Sequence, residues 1–228
     1  MTNPEITDVP EGYLAAHPEL EETLGGRAPN GRDLAGLRRV VIVHGFGGYP
    51  EKHWYPWLAN ELVAAGLPVT RVALPSPKNP DRAEWERALE EQVGSVDDAI
   101  VVAHSLGCVA TISHIEHHPE DKPRGLVFVT AFDKKVEAIP EVDGFVGEGA
   151  DSDGVARRTR HVAIVHSDED PVVPIHNSQE MAKRWEAAVE GTDTTVRTVE
   201  VPGAKHFLFG HGVTEVPEVR DLVMEMLD

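Results

Sequence analysis

Six short, unbroken apolar runs constrain the fold of this chain more than any other feature. From residue 37 onward they read RVVIVHG, LPVTRVALP, DAIVVAHS, RGLVFVTA, HVAIVHS and VRTVEVPG. Continuous rather than alternating apolarity is typical of strands that are buried on both faces. Glycine, proline or charged residues bound each run, as expected for short strands. The runs therefore predict the strands of one mostly parallel sheet.

Amphipathic segments separate these runs and predict helices at residues 54–65, 81–93, 106–118, 176–189 and 217–227. Alternation of strands and helices predicts an α/β domain with helices on both faces of the sheet. A chain of 228 residues can bury enough apolar surface for one such domain, which we expect over residues 37–228. In residues 1–36 the apolar residues follow neither a helical nor an alternating pattern. We expect these residues to form an N-terminal arm or extension, loosely ordered or packed on the domain.

One segment departs from the alternation. Residues 132–160 are rich in glycine, aspartate and charge, and they lie between two predicted strands. A solvent loop is the simpler interpretation. Insertions of this length also form flaps beside active sites, so a small flap is the alternative.

Composition disfavours several classes of function. The chain has 39 acidic residues against 21 lysines and arginines, a net charge of −18 that would repel a nucleic-acid backbone. No apolar run approaches the roughly 20 residues of a membrane-spanning helix, and the first residues lack the pattern of a secretory signal. Cys108 is the single cysteine and forms no internal disulfide. We therefore expect a cytoplasmic protein that acts on a small-molecule substrate and binds neither nucleic acid nor a membrane. The oligomeric state stays open, with a homo-oligomer as one option.

A serine stands where one predicted strand ends and a helix begins. The run that ends at residue 102 continues AHSLG, and helical spacing starts directly after Ser105. A serine in a strand–turn–helix context, with small residues two before and two after it, is typical of a hydrolase nucleophile elbow, usually G-x-S-x-G. Ala103 replaces the first glycine. A serine that merely caps its helix is the simpler alternative.

The partners that a serine nucleophile needs follow in the α/β-hydrolase order of serine, acid and histidine. An acid cluster, Asp168, Glu169 and Asp170, comes directly after the run HVAIVHS, and His206 follows the last predicted strand. Asp170 is our preferred acid because the motif D-P-x-x-P would hold it on a rigid turn, and Asp168 is next. Serine, acid and histidine are expected to meet at one edge of the sheet.

Two backbone N–H groups are expected to bind an oxyanion. One is the N–H of Leu106 at the start of a helix. The other is the N–H of Phe46 in the loop HGFGG, and the N–H of Gly47 is the second choice for this donor. Gly45, Gly47 and Trp54 are expected to contact substrate, and packing of Trp54 in the core between helix and sheet is the alternative. A nucleotide-binding loop is disfavoured, since the sequence has neither G-K-[ST] nor a full G-x-G-x-x-G.

Several motifs together resemble one family. HGFGGYPEKHWYPWL, LPSPKNP followed by Trp85, AHSLGC, SDEDPVVP and PGAKHF are similar to segments of the small serine hydrolases grouped with retinoblastoma-binding protein nine and YdeN. The resemblance covers about residues 40–227, and AHSLGC is itself typical of that family. It implies an α/β-hydrolase fold with a minimal cap, a triad at Ser105, Asp170 and His206, and no cofactor. The L-x-C-x-E motif associated with the retinoblastoma-binding member is absent, so we infer no such partner.

Other conspicuous residues receive structural interpretations. His114 and His118 have the i, i+4 spacing of zinc ligands, but no third ligand is apparent, so a solvated helix end is favoured and no metal is expected. Cys108 is expected in the core, and His44 and His104 are expected to be local scaffolding.

The sequence therefore predicts a serine hydrolase that cleaves small carboxylic esters or activated amides through an acyl-enzyme. Acyl transfer to another acceptor would use the same residues. A binding or scaffold protein on a hydrolase fold is the alternative from another class, and cofactor-free lyase or peroxidase chemistry is a third.

Overall fold

The apolar runs form one sheet. The computed structural model describes residues 7–8, 38–147 and 151–227. Within these residues seven strands are ordered β1-β3-β2-β4-β5-β6-β7, namely β1 Thr7–Asp8, β2 Val40–Val43, β3 Val69–Val72, β4 Ile100–His104, β5 Gly125–Val129, β6 His161–His166 and β7 Thr195–Glu200. Strands β2 to β7 are parallel, and β1 runs antiparallel to β3. The mostly parallel sheet predicted from the sequence is confirmed.

Seven α-helices occur in the same residues: α1 Tyr55–Ala64, α2 Arg82–Gln92, α3 Leu106–His117, α4 Asp143–Val146, α5 Ser152–Arg158, α6 Ile175–Ala188 and α7 Pro217–Glu225. The five predicted helices are all present, with ends within two residues of the expected ones. Local chemistry sets some of these ends. Asp81 accepts a hydrogen bond from the N–H of Glu84 at 2.9 Å and so caps α2, and prolines occupy the first turns of α1 and α7.

Both faces of the sheet are buried, as the unbroken apolar runs predict. Along β2, Val41 and Val43 face one core, while Val40 and Ile42 face the other. Helices α2, α3, α5 and α6 cover the first face, and α1 and α7 cover the second. Large side chains fill both cores, and burying each of them stabilises the fold by about 1.5–3 kcal/mol. The helices on both faces are therefore confirmed.

Residues 132–160 are largely folded rather than a plain loop. They contain a 3₁₀ turn at Pro140–Val142 together with α4 and α5, although residues 148–150 lie outside the described part. Phe145 is buried and packs edge-on against Trp85, with ring centroids 4.9 Å apart. The solvent-loop interpretation is wrong for the part that the structure describes.

Residues 1–36, which were expected to form an N-terminal arm or extension, lie outside the described residues except for β1. Thr7 and Asp8 pair with Thr70 and Val69 at the edge of the sheet. In the described ranges, no helix combines the length and apolarity needed to cross a membrane.

Candidate active site

Ser105 occupies a sharp turn between β4 and α3. Its φ of 55° and ψ of −123° lie in a region that side-chain-bearing residues rarely adopt, at a cost of about 1–3 kcal/mol. The Ser105 side chain makes no capping hydrogen bond to α3. The helix-cap alternative therefore does not explain this serine, whereas a turn that projects the side chain from the strand end does.

Two glycines let the elbow pack closely. A Cβ on Gly107 would lie 2.6 Å from the carbonyl oxygen of His44, and a Cβ on Gly45 would lie 2.7 Å from that of His104. Neither separation is sterically allowed, so only glycine fits at these positions. Ala103 is completely buried at the end of β4, where its methyl group packs in the core. The departure from G-x-S-x-G is thus accommodated.

The structure brings Ser105, His206 and Asp170 together. The Oγ of Ser105 lies 3.1 Å from Nε2 of His206. On the other side of the ring, Nδ1 of His206 lies 2.8 Å from Oδ2 and 3.1 Å from Oδ1 of Asp170. The Asp170 side chain is 2% exposed and that of His206 is 7% exposed, so this contact is shielded from water. Such a chain can move a proton from a hydroxyl to an imidazole whose charged form a carboxylate stabilises.

Asp170 is held on the rigid turn that its sequence context indicates. Its Oδ1 accepts hydrogen bonds from the N–H groups of Val172 and Val173 at 2.8 and 3.0 Å. Asp168 instead accepts from the N–H of Gly203 at 2.8 Å, a bond that lowers the pKa of its carboxyl group. The exposed Asp168 thus joins the loops after β6 and β7. Of the acid cluster, the structure places Asp170 against His206.

A second histidine, His104, supports the loop that carries His206. The Nε2–H of His104 donates to the backbone carbonyl of His206 at 3.1 Å, and Nδ1 accepts from the hydroxyl of Tyr55 at 2.8 Å. Burial lowers the pKa of His104 well below its usual value, and the nearby His206 lowers it further. His104 is therefore neutral, with one donor and one acceptor nitrogen. Sequence reasoning left it as scaffolding and missed Tyr55.

His44 has the structural role that was expected. Its Nδ1–H donates to the carbonyl of Gly45 at 2.9 Å, and its Nε2 accepts from the N–H of Leu74 at 3.2 Å. Burial lowers the pKa of His44 to about 4. A neutral His44 therefore ties the loop after β2 to the residues after β3.

The two expected oxyanion donors lie on adjacent backbone segments. A Cβ on Gly45 would be 3.3 Å from the backbone nitrogen of Leu106, which shows how closely the loop after β2 approaches the start of α3. Across the described residues, neither the N–H of Phe46 nor that of Leu106 has a backbone acceptor outside the helix and strand ladders. Gly47 has a φ of 64°, and its N–H donates to the carbonyl of Pro77 at 2.7 Å.

A cavity of about 240 Å³ opens beside Ser105. Its apolar lining comes from Phe46, Leu106, Ile139, Val142, Val172 and Leu208, and its polar lining from His53, Tyr55, His104, Ser105, Glu141 and His206. Three of these residues belong to the segment 132–160, which agrees with the small-flap alternative. Half of the twelve lining residues are apolar, and apolar atoms make up most of the exposed wall, so an uncharged group fits beside Ser105.

None of the three residues that were expected to contact substrate lines the cavity. Trp54 is completely buried in the core that α1 and α7 cover, with its ring centroid 4.9 Å from that of Tyr55. It is not part of the cavity lining, and neither are Gly45 and Gly47. The structure thus corrects the expectation for Trp54, since the helix start turns its neighbour Tyr55 toward the cavity instead.

His53 is a further cavity residue that sequence reasoning missed. Its Nδ1 accepts a hydrogen bond from the N–H of Phe209 at 3.0 Å. Partial burial, reinforced by the charge of Lys52, lowers the pKa of His53 to about 4. A neutral imidazole therefore faces the cavity. Its position after a glycine-rich loop was the available sequence signal.

Comparison with known proteins relates this chain to hydrolases. A family model of serine hydrolases matches residues 40–225. YdeN of Bacillus subtilis is 29% identical over 188 residues, which cover 82% of this chain and 94% of YdeN. The serine hydrolase RBBP9 of Rattus norvegicus is 23% identical over 158 residues, which cover 68% of this chain and 83% of RBBP9.

Solved structures extend the comparison to the fold. The crystal structure of YdeN has a TM-score of 0.76 and 27% sequence identity, over 83% of this chain and 98% of that one. The esterase RhEst1 from Rhodococcus sp. ECU1013 has a TM-score of 0.58 and 17% identity, over 84% of this chain and 90% of its own. RhEst1 therefore shares the α/β-hydrolase fold.

Proposed function

This chain belongs to the serine hydrolase family, and we propose that it hydrolyses small carboxylic esters with Ser105 as the nucleophile. The observation that carries the proposal is the continuous contact from Ser105 through His206 to Asp170, at 3.1 and 2.8 Å. An isolated serine hydroxyl is a weak nucleophile, and an adjacent, oriented imidazole is what activates it.

The first half of the reaction acylates the enzyme. As Oγ of Ser105 attacks the ester carbonyl, Nε2 of His206 takes the hydroxyl proton, and Asp170 stabilises the resulting imidazolium through Nδ1–H. The tetrahedral intermediate then collapses, and the leaving alkoxide receives that same proton from His206. The products of this half are an alcohol and an ester of Ser105.

Two backbone N–H groups, those of Phe46 and Leu106, would bind the oxygen that becomes negative. The N–H of Leu106 lies at the N-terminus of α3, where the helix dipole favours negative charge. One such donor contributes about 3–4 kcal/mol of transition-state stabilisation.

The second half releases the acyl group. Water gives a proton to Nε2 of His206 and attacks the acyl carbonyl, and collapse of the second tetrahedral intermediate returns the proton to Ser105. In both halves of the reaction Asp170 stabilises the imidazolium of His206 through its Nδ1–H. An alcohol or amine in place of water would give acyl transfer by identical steps.

The cavity supports a short acyl or alcohol group. Its volume of about 240 Å³ lies below the roughly 300–1,000 Å³ of most ligand pockets. Ile139 and Val142 form part of its wall, so a long chain would have to displace the segment that carries them. The sharing of the fold with an esterase agrees with an ester substrate.

A series of p-nitrophenyl esters tests this proposal. We expect hydrolysis of the acetate and butyrate esters, a steep fall in kcat/KM for the laurate ester, and loss of activity in Ser105→Ala. Hydrolysis that is equal in Ser105→Ala and the unmodified protein would overturn the assignment. A correctly folded chain that hydrolyses none of the esters would favour the alternative of a binding protein on a hydrolase fold.

A further inference from the structure

Three side chains with metal-binding atoms meet far from Ser105. Glu90 comes from α2, His114 from α3, and His118 directly follows α3. One potential ligand atom from each lies within 4.8 Å of the other two. We propose that Glu90, His114 and His118 form a site for a divalent transition-metal ion, with Zn²⁺ as the reference ion. This inference does not depend on the proposed function.

The ligand types and their spacing suit such an ion. Zinc binds imidazole nitrogens and carboxylate oxygens at about 2.0–2.2 Å, so tetrahedral geometry puts two ligand atoms roughly 3.3 Å apart. Here Nε2 of His118 donates a hydrogen bond to Oε2 of Glu90 at 2.8 Å, a bond that a metal ion would replace. The His114 and His118 rings are 4.6 Å apart between centroids. The three ligand atoms lie within 4.8 Å of one another, so binding would draw them together around the ion, with water in the fourth position.

A backbone carbonyl already orients the buried histidine. Nε2 of His114 lies 2.6 Å from the carbonyl oxygen of Gly94, to which its N–H donates. Gly94 has a φ of 59°, in the turn that follows α2. The donated N–H leaves Nδ1 of His114 with a free lone pair. Metal-binding histidines are commonly fixed in this way, through a hydrogen bond from the other ring nitrogen to a carbonyl.

Charges of both signs surround the cluster, since Arg158 donates to the backbone carbonyls of Ile115 and His118, while two carboxylates lie close to the buried histidine. The carboxylates of Glu90 and Asp121 both lie near the His114 ring, and the chain carries a net charge of −18. The structure also corrects the expectation of a solvated helix end, because His114 is only 4% exposed. The third ligand lies on another helix, which explains why the sequence pattern did not reveal it.

The site is too remote to take part in chemistry at Ser105. His114 lies on α3 and His118 directly after it, 9 and 13 residues past Ser105, which corresponds to roughly 14–20 Å at 1.5 Å per residue. A bound ion would instead link the C-terminal ends of α2 and α3. Its measurable effect is therefore on stability and not on turnover.

Zinc titration of the untagged, full-length chain tests the inference. After removal of metal with EDTA and dialysis, we expect calorimetry to show one Zn²⁺ per chain. At 100-fold excess over Kd, the midpoint of thermal unfolding should rise by about 5 °C or more. Glu90→Gln and His118→Ala should each weaken binding at least 10-fold, with circular dichroism and unfolding without metal as the check on folding.

His117→Ala is the matched control, because His117 is an exposed neighbour outside the cluster. We expect this variant to bind zinc like the unmodified chain. Absence of zinc binding would overturn the proposal, as would binding that Glu90→Gln and His118→Ala leave unchanged or that His117→Ala weakens equally. Ester hydrolysis should be the same with zinc and with EDTA, so the metal proposal and the proposed function can fail separately.

Discussion

His104 donates a hydrogen bond from Nε2–H to the backbone carbonyl of His206 at 3.1 Å. This bond connects the residue that precedes Ser105 with the loop that carries the imidazole. Because Tyr55 in turn donates to Nδ1 of His104, one buried hydrogen-bonded chain sets the position of His206 relative to Ser105. The proton donor, Ser105, and the proton acceptor, His206, are thus both held next to the buried His104.

Removal of the Tyr55 hydroxyl should therefore lower turnover more than substrate affinity. In Tyr55→Phe, Nδ1 of His104 loses its donor in a buried site, which should cost about 1–3 kcal/mol of stability. A misplaced His206 should reduce kcat roughly 10-fold to 100-fold with a smaller change in KM. Steady-state kinetics and urea unfolding measure both effects.

Tyr49→Phe is the control, since Tyr49 is an exposed tyrosine on a neighbouring loop. It should leave kcat unchanged. A Tyr55→Phe variant with the kinetics and stability of the unmodified protein would refute the positioning role.

Asp170→Asn should be far more damaging than Asp168→Asn. Of the two carboxylates, that of Asp170 contacts Nδ1 of His206, and an amide there would favour the wrong tautomer. By analogy with other serine enzymes, kcat should fall by about 10⁴-fold. Asp168→Asn keeps an oxygen that can accept from the N–H of Gly203 and loses only the negative charge, so it should change kcat by less than about 10-fold. The reverse order of the two effects would show that Asp168 is the acid.

Gly107→Ala should destabilise the fold at the elbow. The new methyl group would lie 2.6 Å from the carbonyl oxygen of His44, within backbone that cannot move independently. We expect a loss of about 2 kcal/mol or more in the free energy of unfolding. Gly210→Ala is the control because a Cβ there meets nothing within 4 Å. Equal stability of the two variants in urea unfolding would contradict the close packing.

Stability should fall as the pH is lowered from 7.5 to 5. The pKa of His44 is about 4 in the folded protein, against an ordinary value of 6.5, and that of His104 is also depressed. The unfolded chain therefore binds more protons in this range, so the stabilisation is complete above pH 6.5 and is lost toward pH 4. For His44 alone the loss between pH 7.5 and 5 should be about 2 kcal/mol.

Urea unfolding in the presence of EDTA measures this dependence. His44→Gln removes one of the groups and should reduce the loss between pH 7.5 and 5. His117→Gln changes an exposed histidine and should leave the loss as it is. A free energy of unfolding that stays constant over this range would show that these histidines are not buried in the neutral form.

The sheet was predictable because its strands are buried on both faces and so carry unbroken apolar runs. The meeting of Ser105, Asp170 and His206 was predictable because parallel strands deliver the residues that follow them to the same edge of the sheet. Tyr55 was missed, and Trp54 was chosen in its place, because the direction of each side chain at the start of α1 depends on tertiary packing. The cluster of Glu90, His114 and His118 was not predictable for a related reason: Glu90 lies close to the two histidines only through the packing of two helices.

The most direct test of the central claim is intact-mass labelling with a fluorophosphonate, which reacts with activated serine nucleophiles. We predict one adduct on the native chain, located at Ser105 by peptide mapping, and almost none on Ser105→Ala or His206→Ala, since members of such a triad act as a unit. A native, folded chain that stays unlabelled while a known serine hydrolase reacts alongside it would contradict the account, as would an adduct that persists in Ser105→Ala.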